Sequence, residues 1–335
     1  MAAARHILIT GASSGIGFQA AVQLLRAGHR LTLPCRDPER AAGTARRIAA
    51  EAGGTATAGA GPEPQTPVAD LADLESVNRC SEELLRRGEP IDTLVLNAGL
   101  QYTGAGAPGR SAQAYELTIA VNHLAHQLLA QRLLPLLAAG REPRVVVTAS
   151  EVHDPASPGG RVGQPAGLGD LAGLRQGAGF AMVDGRSPFD ADKAYKDSKL
   201  CNVLFARRLQ QRLEQQGLPW PVIAWSPGLV IPRASDGFFR YSRQHNEAGQ
   251  RLFALVARDL LRLTETVERA GGLLAALAAD PVHGSGGFHY WCNRVLGPGR
   301  RRFEDLQPSA EARDDALAAA LWAISEELVG QEGLG

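Results

Sequence analysis

Tyr195 and Lys199 stand one helical turn apart in the stretch Tyr195-Lys196-Asp197-Ser198-Lys199, the most legible chemistry in this 335-residue chain. Side chains four apart share a helix face, so a phenol and an ammonium there reach one cleft. A neighbouring cation favours the phenolate and draws a tyrosine down from its usual value of about 10, toward a usable proton donor. The same spacing on a solvated helix would carry no chemistry. A second signal is Thr10-Gly11-Ala12-Ser13-Ser14-Gly15-Ile16-Gly17, set between an apolar run and a helical stretch. Glycines let backbone approach a pyrophosphate, and a helix N-terminus favours its charge. The spacing is G-x-x-x-G-x-G, not the G-x-G-x-x-G of the general dinucleotide fingerprint. A third is Cys35-Arg36-Asp37, about 20 residues past the glycines, where an adenosine ribose would lie. An acid there binds ribose hydroxyls and an arginine accepts a 2′-phosphate. Arg36 comes first, with Arg40 one turn on, which favours NADP(H) over NAD. Asp37 also reads as a helix cap.

Positioning these groups requires an alternation of strands and helices, and the sequence supplies one. His6 to Thr10, Arg30 to Cys35, Thr66 to Ala69, Thr93 to Leu96 and Val145 to Thr148 read as strands. Helices are expected over Ile16 to Ala27, Pro38 to Ala52, Leu74 to Arg87 and Ala112 to Ala138, with a loop from Gly53 to Pro67. This βαβα rhythm, with continuous apolar strands, predicts an α/β fold: one Rossmann-type, doubly wound parallel sheet with helices on both faces. After Ser150 the rhythm breaks into Pro/Gly-rich sequence to about Asp192, the kind of long segment that is functional or mobile. Helix Ala194 to Gln216 and strand Val222 to Ser226 resume it. Helices at Glu247 to Arg262 and Glu265 to Ala279, a strand Gly287 to Cys292, and an amphipathic helix carrying Leu317, Leu321, Ile324 and Leu328 follow.

The 35 basic and 35 acidic residues cancel, so charge gives no reason to expect nucleic acid as a partner. Cys35, Cys80, Cys201 and Cys292 are scattered with no C-x-x-C pair, which argues against a metal site or disulfide framework. No run reaches the ~18–20 apolar residues of a transmembrane segment. Met1 to His6 leaves little length for a signal peptide before Ile7-Leu8-Ile9. The expectation is a cytoplasmic protein. Length alone suggests roughly two domains, but the pattern predicts a single domain over 1–335. Within it, 151–192 would be an insertion, 231–280 a substrate lid and 309–330 a C-terminal helix.

Taken in order, Thr10-Gly11-xxx-Gly15-x-Gly17, Asp70-Leu71, Asn97-Ala98-Gly99, Asn122, Ser150, Tyr195-xxx-Lys199 and Pro227-Gly228 resemble the short-chain dehydrogenase/reductase family over nearly the whole chain. The resemblance implies a nicotinamide-dependent oxidoreductase. It places Gly11, Ser13, Gly15 and Ile16 at the pyrophosphate, Asp70 at the adenine, and Asn97 and Gly99 along the cofactor groove. Ser14, Gly17, Leu71, Ala98, Pro227 and Gly228 are their motif neighbours in the cofactor site, and Arg36 the reader of the 2′-phosphate. Ser150, Tyr195 and Lys199 become the catalytic group, with Asn122 holding the water of a proton relay. Plainer readings are a strand-end turn for Ser150 and a helix-bending polar residue for Asn122.

Longer strings narrow the resemblance to the protochlorophyllide-reductase branch of that family. They are Lys193 through Asn202, Asp73 to Val77, Asn122-His-Leu-Ala-His126, Ser285 through Asn293 and Trp322 to Gly330, with Ser150 and Tyr195 45 positions apart. That branch implies a large, mainly apolar small-molecule substrate, reduced at a carbon–carbon double bond in a light-driven step. Cys201, Gln101, Tyr102, Leu229, Phe238 and Phe239 are the substrate-side candidates, Cys201 reading equally as a small buried residue. Three departures keep other readings open. Gln101 precedes Tyr102 where the branch has a tyrosine, Leu229 replaces its cysteine, and Ile231 to Asn246 is unusually polar and basic. A dark carbonyl or alcohol oxidoreductase of the retinol-dehydrogenase kind is one alternative. A non-catalytic nucleotide-sensing or pigment-carrying protein is another. Pairing through helices beside the active site would give a homo-oligomer, unless the insertion blocks it.

Overall fold

The computed structural model describes residues 3–53, 63–231 and 263–330, with Ser242, Gln244, Glu247, Arg251, Leu255 and Ala257. Phe238 and Phe239, most of the expected helix Glu247 to Arg262, and most of the Gly53 to Pro67 loop lie outside the described residues.

Aliphatic runs supply the strands β1 (His6–Ile9), β2 (Arg30–Thr32), β3 (Thr93–Leu96), β4 (Arg144–Thr148), β5 (Pro221–Ser226), β6 (Gly287–Gly297) and β7 (Arg300–Asp305). They form one seven-stranded sheet in the order β2-β1-β3-β4-β5-β6-β7, with only β7 antiparallel to its neighbour. Successive strand side chains point to opposite faces, and both faces are covered here. Leu8, Leu94, Leu96, Val145 and Val147 enter one core, while Ile7, Ile9, Val95, Val146 and Ile223 enter the other. That is why the strands read as unbroken apolar runs.

One face carries α1 (Gly15–Arg26), α2 (Pro38–Glu51) and α8 (Val267–Ala279); the other carries α3 (Leu74–Arg87), α5 (Ala125–Ala138), α7 (Ala191–Gln215) and α9 (Asp315–Leu328). Two short helices, α4 (Leu117–Ile119) and α6 (Ala172–Arg175), complete the series. Part of the region expected as a lid is thus a sheet-face helix. Leu274, Leu277 and Ala278 of α8 sit in the core, and a Cβ on Gly271 would lie 2.5 Å from Gln19 of α1.

Several expectations need correction. In place of the expected strand Thr66 to Ala69 there are two isolated parallel bridges, Thr32↔Gln65 just before it and Cys35↔Val68 within it. Pro67 accepts from the Cys35 amide at its carbonyl but has no N–H to return to β2, so the ladder breaks there. The helix expected from Ala112 starts at Leu117, because Ala114 takes a left-handed φ of 62° and Glu116 caps the amides of Thr118 and Ile119. It then passes through a π-helical stretch, Ala120–Leu124, before α5. α7 begins at Ala191, three residues early, since Asp190 accepts from the amides of Asp192 and Lys193. β6 runs on to Gly297 and turns through Pro298-Gly299 into β7, a hairpin the sequence reading did not anticipate. The Pro/Gly-rich segment after Ser150 is packed: Leu168, Leu171, Leu174, Phe180 and Val183 join the core beside α7.

α9 lies across α5 and α7. Trp322 stacks on Phe205 of α7 at 5.7 Å, with the Arg212 guanidinium 5.0 Å from its ring centroid. From α5, Gln127 donates to the Trp322 carbonyl and Gln131 reaches Glu326, and from the π-helical stretch before it His123 meets Ser325 at 2.9 Å. Trp322→Ala removes the central contact of this interface. It should lower the free energy of urea unfolding by about 3–5 kcal/mol, and a loss below ~1 kcal/mol would show that α9 is not a stabilising element.

Candidate active site

A cleft of about 790 Å3 runs along the carboxyl ends of β1 to β5. The glycine-rich turn joins β1 to α1 at its floor. A Cβ on Gly11 would come within 2.7 Å of Ala98 Cα, and one on Gly17 within 2.6 Å of Asn97 Nδ2. These two glycines therefore close the turn against the β3 loop. Gly15, with φ of 61°, has nothing within 4 Å of an added Cβ and opens to the cleft. Ser13, Ser14 and Ile16 line the same wall. Ser14 is the N-cap of α1 but makes no side-chain cap bond. Helix N-terminal amides without a side-chain cap, beside a glycine that leaves room, fit a pyrophosphate.

Thr10 fastens the turn to the β3 loop. Its Oγ1 accepts from the amides of Asn97 (2.9 Å) and Ala98 (3.0 Å), and its carbonyl accepts from Asn97 Nδ2. The Thr10 hydroxyl is left to donate to His126 Nε2 at 2.9 Å, while His126 Nδ1 donates to the Asn122 carbonyl at 3.1 Å. Burial lowers His126 to about 4, so its ring is neutral and both nitrogens are committed.

At one end of the cleft, Asp37 caps α2 by accepting from the Arg40 amide, and Arg36 and Arg40 flank its carboxylate at 3.8 and 3.3 Å. Arg36, Arg40 and Arg47 all line the cleft, whereas Asp37 does not. Arg47 also donates to the Ser13 carbonyl at 3.2 Å and lies over the Phe18 ring. It was missed in the sequence, although its seven-residue spacing from Arg40 puts both on one helix face. Asp70 and Leu71 line the adjoining wall, the Asp70 carboxylate accepting from the Ala72 amide.

At the other end, Ser150, Tyr195 and Lys199 share the cleft. Ser150 follows β4 and caps a short 3-10 turn, Glu151–His153; its hydroxyl hydrogen-bonds the Tyr195 phenol. Lys199 Nζ is 5.5 Å from the Tyr195 ring centroid and donates to the Thr148 carbonyl at 3.1 Å. Its surroundings are dry. Burial brings the Lys199 ammonium down to about 7 and pushes the Tyr195 phenol up, the Ser150 bond opposing the rise. The phenol is thus not lowered as expected from the Tyr195–Lys199 spacing: desolvation is the largest influence on it and raises it.

Asn97, Ala98, Gly99, Pro227 and Gly228 border the middle of the cleft. Gly228 has φ of 77° and a Cβ there would meet the Asn293 carbonyl at 2.5 Å, while Asn293 Nδ2 bonds the Pro227 carbonyl. Asn122 sits behind the lining, fully buried in the π-helical stretch. Its side chain accepts from the Leu100 amide and donates to the Leu100 carbonyl and Ser198 Oγ. It therefore joins the β3 loop to α7. Of the substrate-side candidates, Gln101 and Leu229 line the cleft, but two others do not. Tyr102 is turned into a buried contact with Glu116 and the Gly109 amide, and Cys201 is fully buried in the core. Both adjoin motif residues in sequence while their side chains leave in other directions. Among the described residues no cluster could hold a metal, and no helix is long and apolar enough to cross a membrane.

The depressed Lys199 has a consequence for stability. Folded Lys199 releases its proton near 7, but the unfolded chain keeps it to about 10.5. Between these values the unfolded state binds more protons, so the Lys199 contribution to stability rises with pH and its burial cost is greatest below pH 7. Lys199→Met should show a flatter stability profile than the unaltered protein between pH 7 and 9 in urea titrations. Parallel profiles would refute the shift.

Residues 5–162 match the family model described as short chain dehydrogenase. The chain is 36% identical over 332 residues to chloroplastic protochlorophyllide reductase A of Oryza sativa subsp. japonica, covering 97% of this chain and 80% of the relative. It is 33% identical to the chloroplastic protochlorophyllide reductase of Chlamydomonas reinhardtii, covering 96% and 77%. A solved structure of an uncharacterised protein from Mycobacterium paratuberculosis superposes with a TM-score of 0.65 at 26% identity, covering 98% of this chain and 94% of the other.

Proposed function

The chain belongs to the short-chain dehydrogenase/reductase family and is an oxidoreductase; on that premise we propose that it uses NADP(H) to reduce a large, mainly apolar small molecule, with Tyr195 as proton donor. Protochlorophyllide, reduced at a carbon–carbon double bond under light, is the substrate we favour. The observation that carries this reading is the run of one cleft from Arg36, Arg40 and Arg47 to Ser150, Tyr195 and Lys199. The similarity to protochlorophyllide reductases over nearly the full chain supports the pigment.

A nicotinamide dinucleotide, when bound, supplies the hydride. Gly15, Ser13 and Ser14 would hold its pyrophosphate, the arginines its 2′-phosphate, and Asn97 to Gly99 with Pro227-Gly228 its nicotinamide half. Tyr195 stays protonated at neutral pH, because burial opposes the phenolate. It therefore keeps a proton at Oη for the substrate atom that gains electron density. Ser150, fixed at the end of β4, orients that phenol through their hydrogen bond. Lys199 carries charge below its value of about 7 and then favours the phenolate left after transfer. Leu117, Val121, Leu229 and Val230 supply apolar surface at the substrate end and exclude water from it.

Purified protein mixed with NADPH and protochlorophyllide should yield the reduced pigment after a flash and none in darkness. Tyr195→Phe should cut that yield per flash by ~100-fold or more. Turnover in the dark would favour a carbonyl or alcohol oxidoreductase, and no pigment binding would eliminate protochlorophyllide. For the cofactor, Arg36→Ala should weaken NADPH binding at least ~10-fold while leaving NADH within about twofold. Equal losses would show that Arg36 does not read the 2′-phosphate.

A further inference from the structure

Lys196 follows the proton donor on α7, yet it points to a different task. Its side chain is almost fully buried, and its ammonium donates to the Val162 carbonyl, to the Gln164 carbonyl at 2.9 Å and to Asp192 at 2.9 Å. An ammonium has three protons, so all of them are engaged. Two of the three acceptors are main-chain carbonyls of one short segment more than 30 positions away in sequence. Between them Gly163 adopts φ of 66°, which lets the backbone wrap around the Lys196–Asp192 pair.

The same segment is held at its other end. A Cβ on Gly160 would run into the Asp154 carbonyl, and one on Gly159 would press on Val152 Cγ1 at 3.0 Å. The chain therefore leaves Ser150 through the Glu151–His153 turn, folds back at Gly159-Gly160, and is tied to α7 by Lys196. Val152, Gly159 and Val162 all line the cleft at the end that holds Ser150 and Tyr195. Val162 is a large apolar side chain left 67% exposed, although its backbone is fastened on both sides.

We infer that Lys196 is a positioning residue: it latches residues 162–164 onto α7 and so presents Val162, with Val152, as an apolar wall for the substrate. This deepens the proposed function by assigning a hydrophobic face, not an anionic group, to the part of the substrate that lies there. With its three protons taken by protein acceptors, Lys196 offers no free donor to a carboxylate.

Lys196→Met keeps the length and packing of the side chain but removes all three donations. Trypsin cleavage after the exposed Arg161 should then quicken by ~10-fold or more, with NADPH affinity within about twofold. Lys196→Arg, which can still bond two carbonyls, should restore much of the protection. Val162→Asp should leave NADPH affinity within about twofold but raise the KM for protochlorophyllide by roughly 10-fold, more than it lowers kcat. Unchanged cleavage in Lys196→Met overturns the latch, and an unchanged KM in Val162→Asp overturns the apolar wall. If the unaltered protein does not take protochlorophyllide, the proposed substrate fails. The wall is then read with 1-anilinonaphthalene-8-sulfonate on the NADPH-loaded protein, where Val162→Asp must weaken binding for the inference to stand.

Discussion

Thr148, the last residue of β4, is the point at which the rest of the site is joined. Its carbonyl accepts from Lys199 Nζ and Asn202 Nδ2, both at 3.1 Å. Its hydroxyl accepts from Trp225 Nε1 at 2.9 Å and donates to Asn97 Oδ1 at 3.2 Å. One residue thus ties α7, β5 and the β3 loop to the central strand. The constraint behind it is general: a parallel sheet leaves unpaired groups at its carboxyl edge, and buried ones must be satisfied. Here the groups that satisfy the edge are the same ones that line the cleft.

A second set of bonds runs parallel to this one. Asn122, His126 and Thr10 link the π-helical stretch to the β3 loop and to the glycine turn. Both sets end on Asn97. The β3 loop is therefore held from two sides, by a helix through Asn122 and by two strands through Thr10 and Thr148. A wider turn of helix at Ala120–Leu124 places Asn122 toward that loop, where a regular helix would repeat its usual spacing.

Much of this was legible because it depends on local pattern. The order of strands and helices follows from apolar runs that fill two cores, and the glycine turn and the Tyr195–Lys199 pair follow from spacing. What was not legible depends on direction or on distant partners. Tyr102 and Cys201 adjoin site residues, but their side chains serve the interior. Ala112 to Tyr115 has good helix formers, yet the left-handed Ala114 and the Glu116 cap set the helix start later. Three consecutive arginines disguise β7, which is a sheet edge where charge is expected. Nothing in the order of residues announced that Lys196 would reach the carbonyls of Val162 and Gln164.

The placement of α9 bears on how such a chain is made. Phe205, Gln127 and His123 face residues 315–328, and no other described element stacks on Phe205 as Trp322 does. Synthesis proceeds from the N-terminus at about 5–20 residues per second, so the helices bearing Asn122 and Tyr195 emerge well before their cover. For several seconds the nascent protein holds a nearly complete nucleotide cradle beside two helices with an uncovered apolar flank. That interval is when a chaperone has most to shield, and a ribosome stalled before residue 315 would leave Tyr195 on a helix that Trp322 does not yet cover.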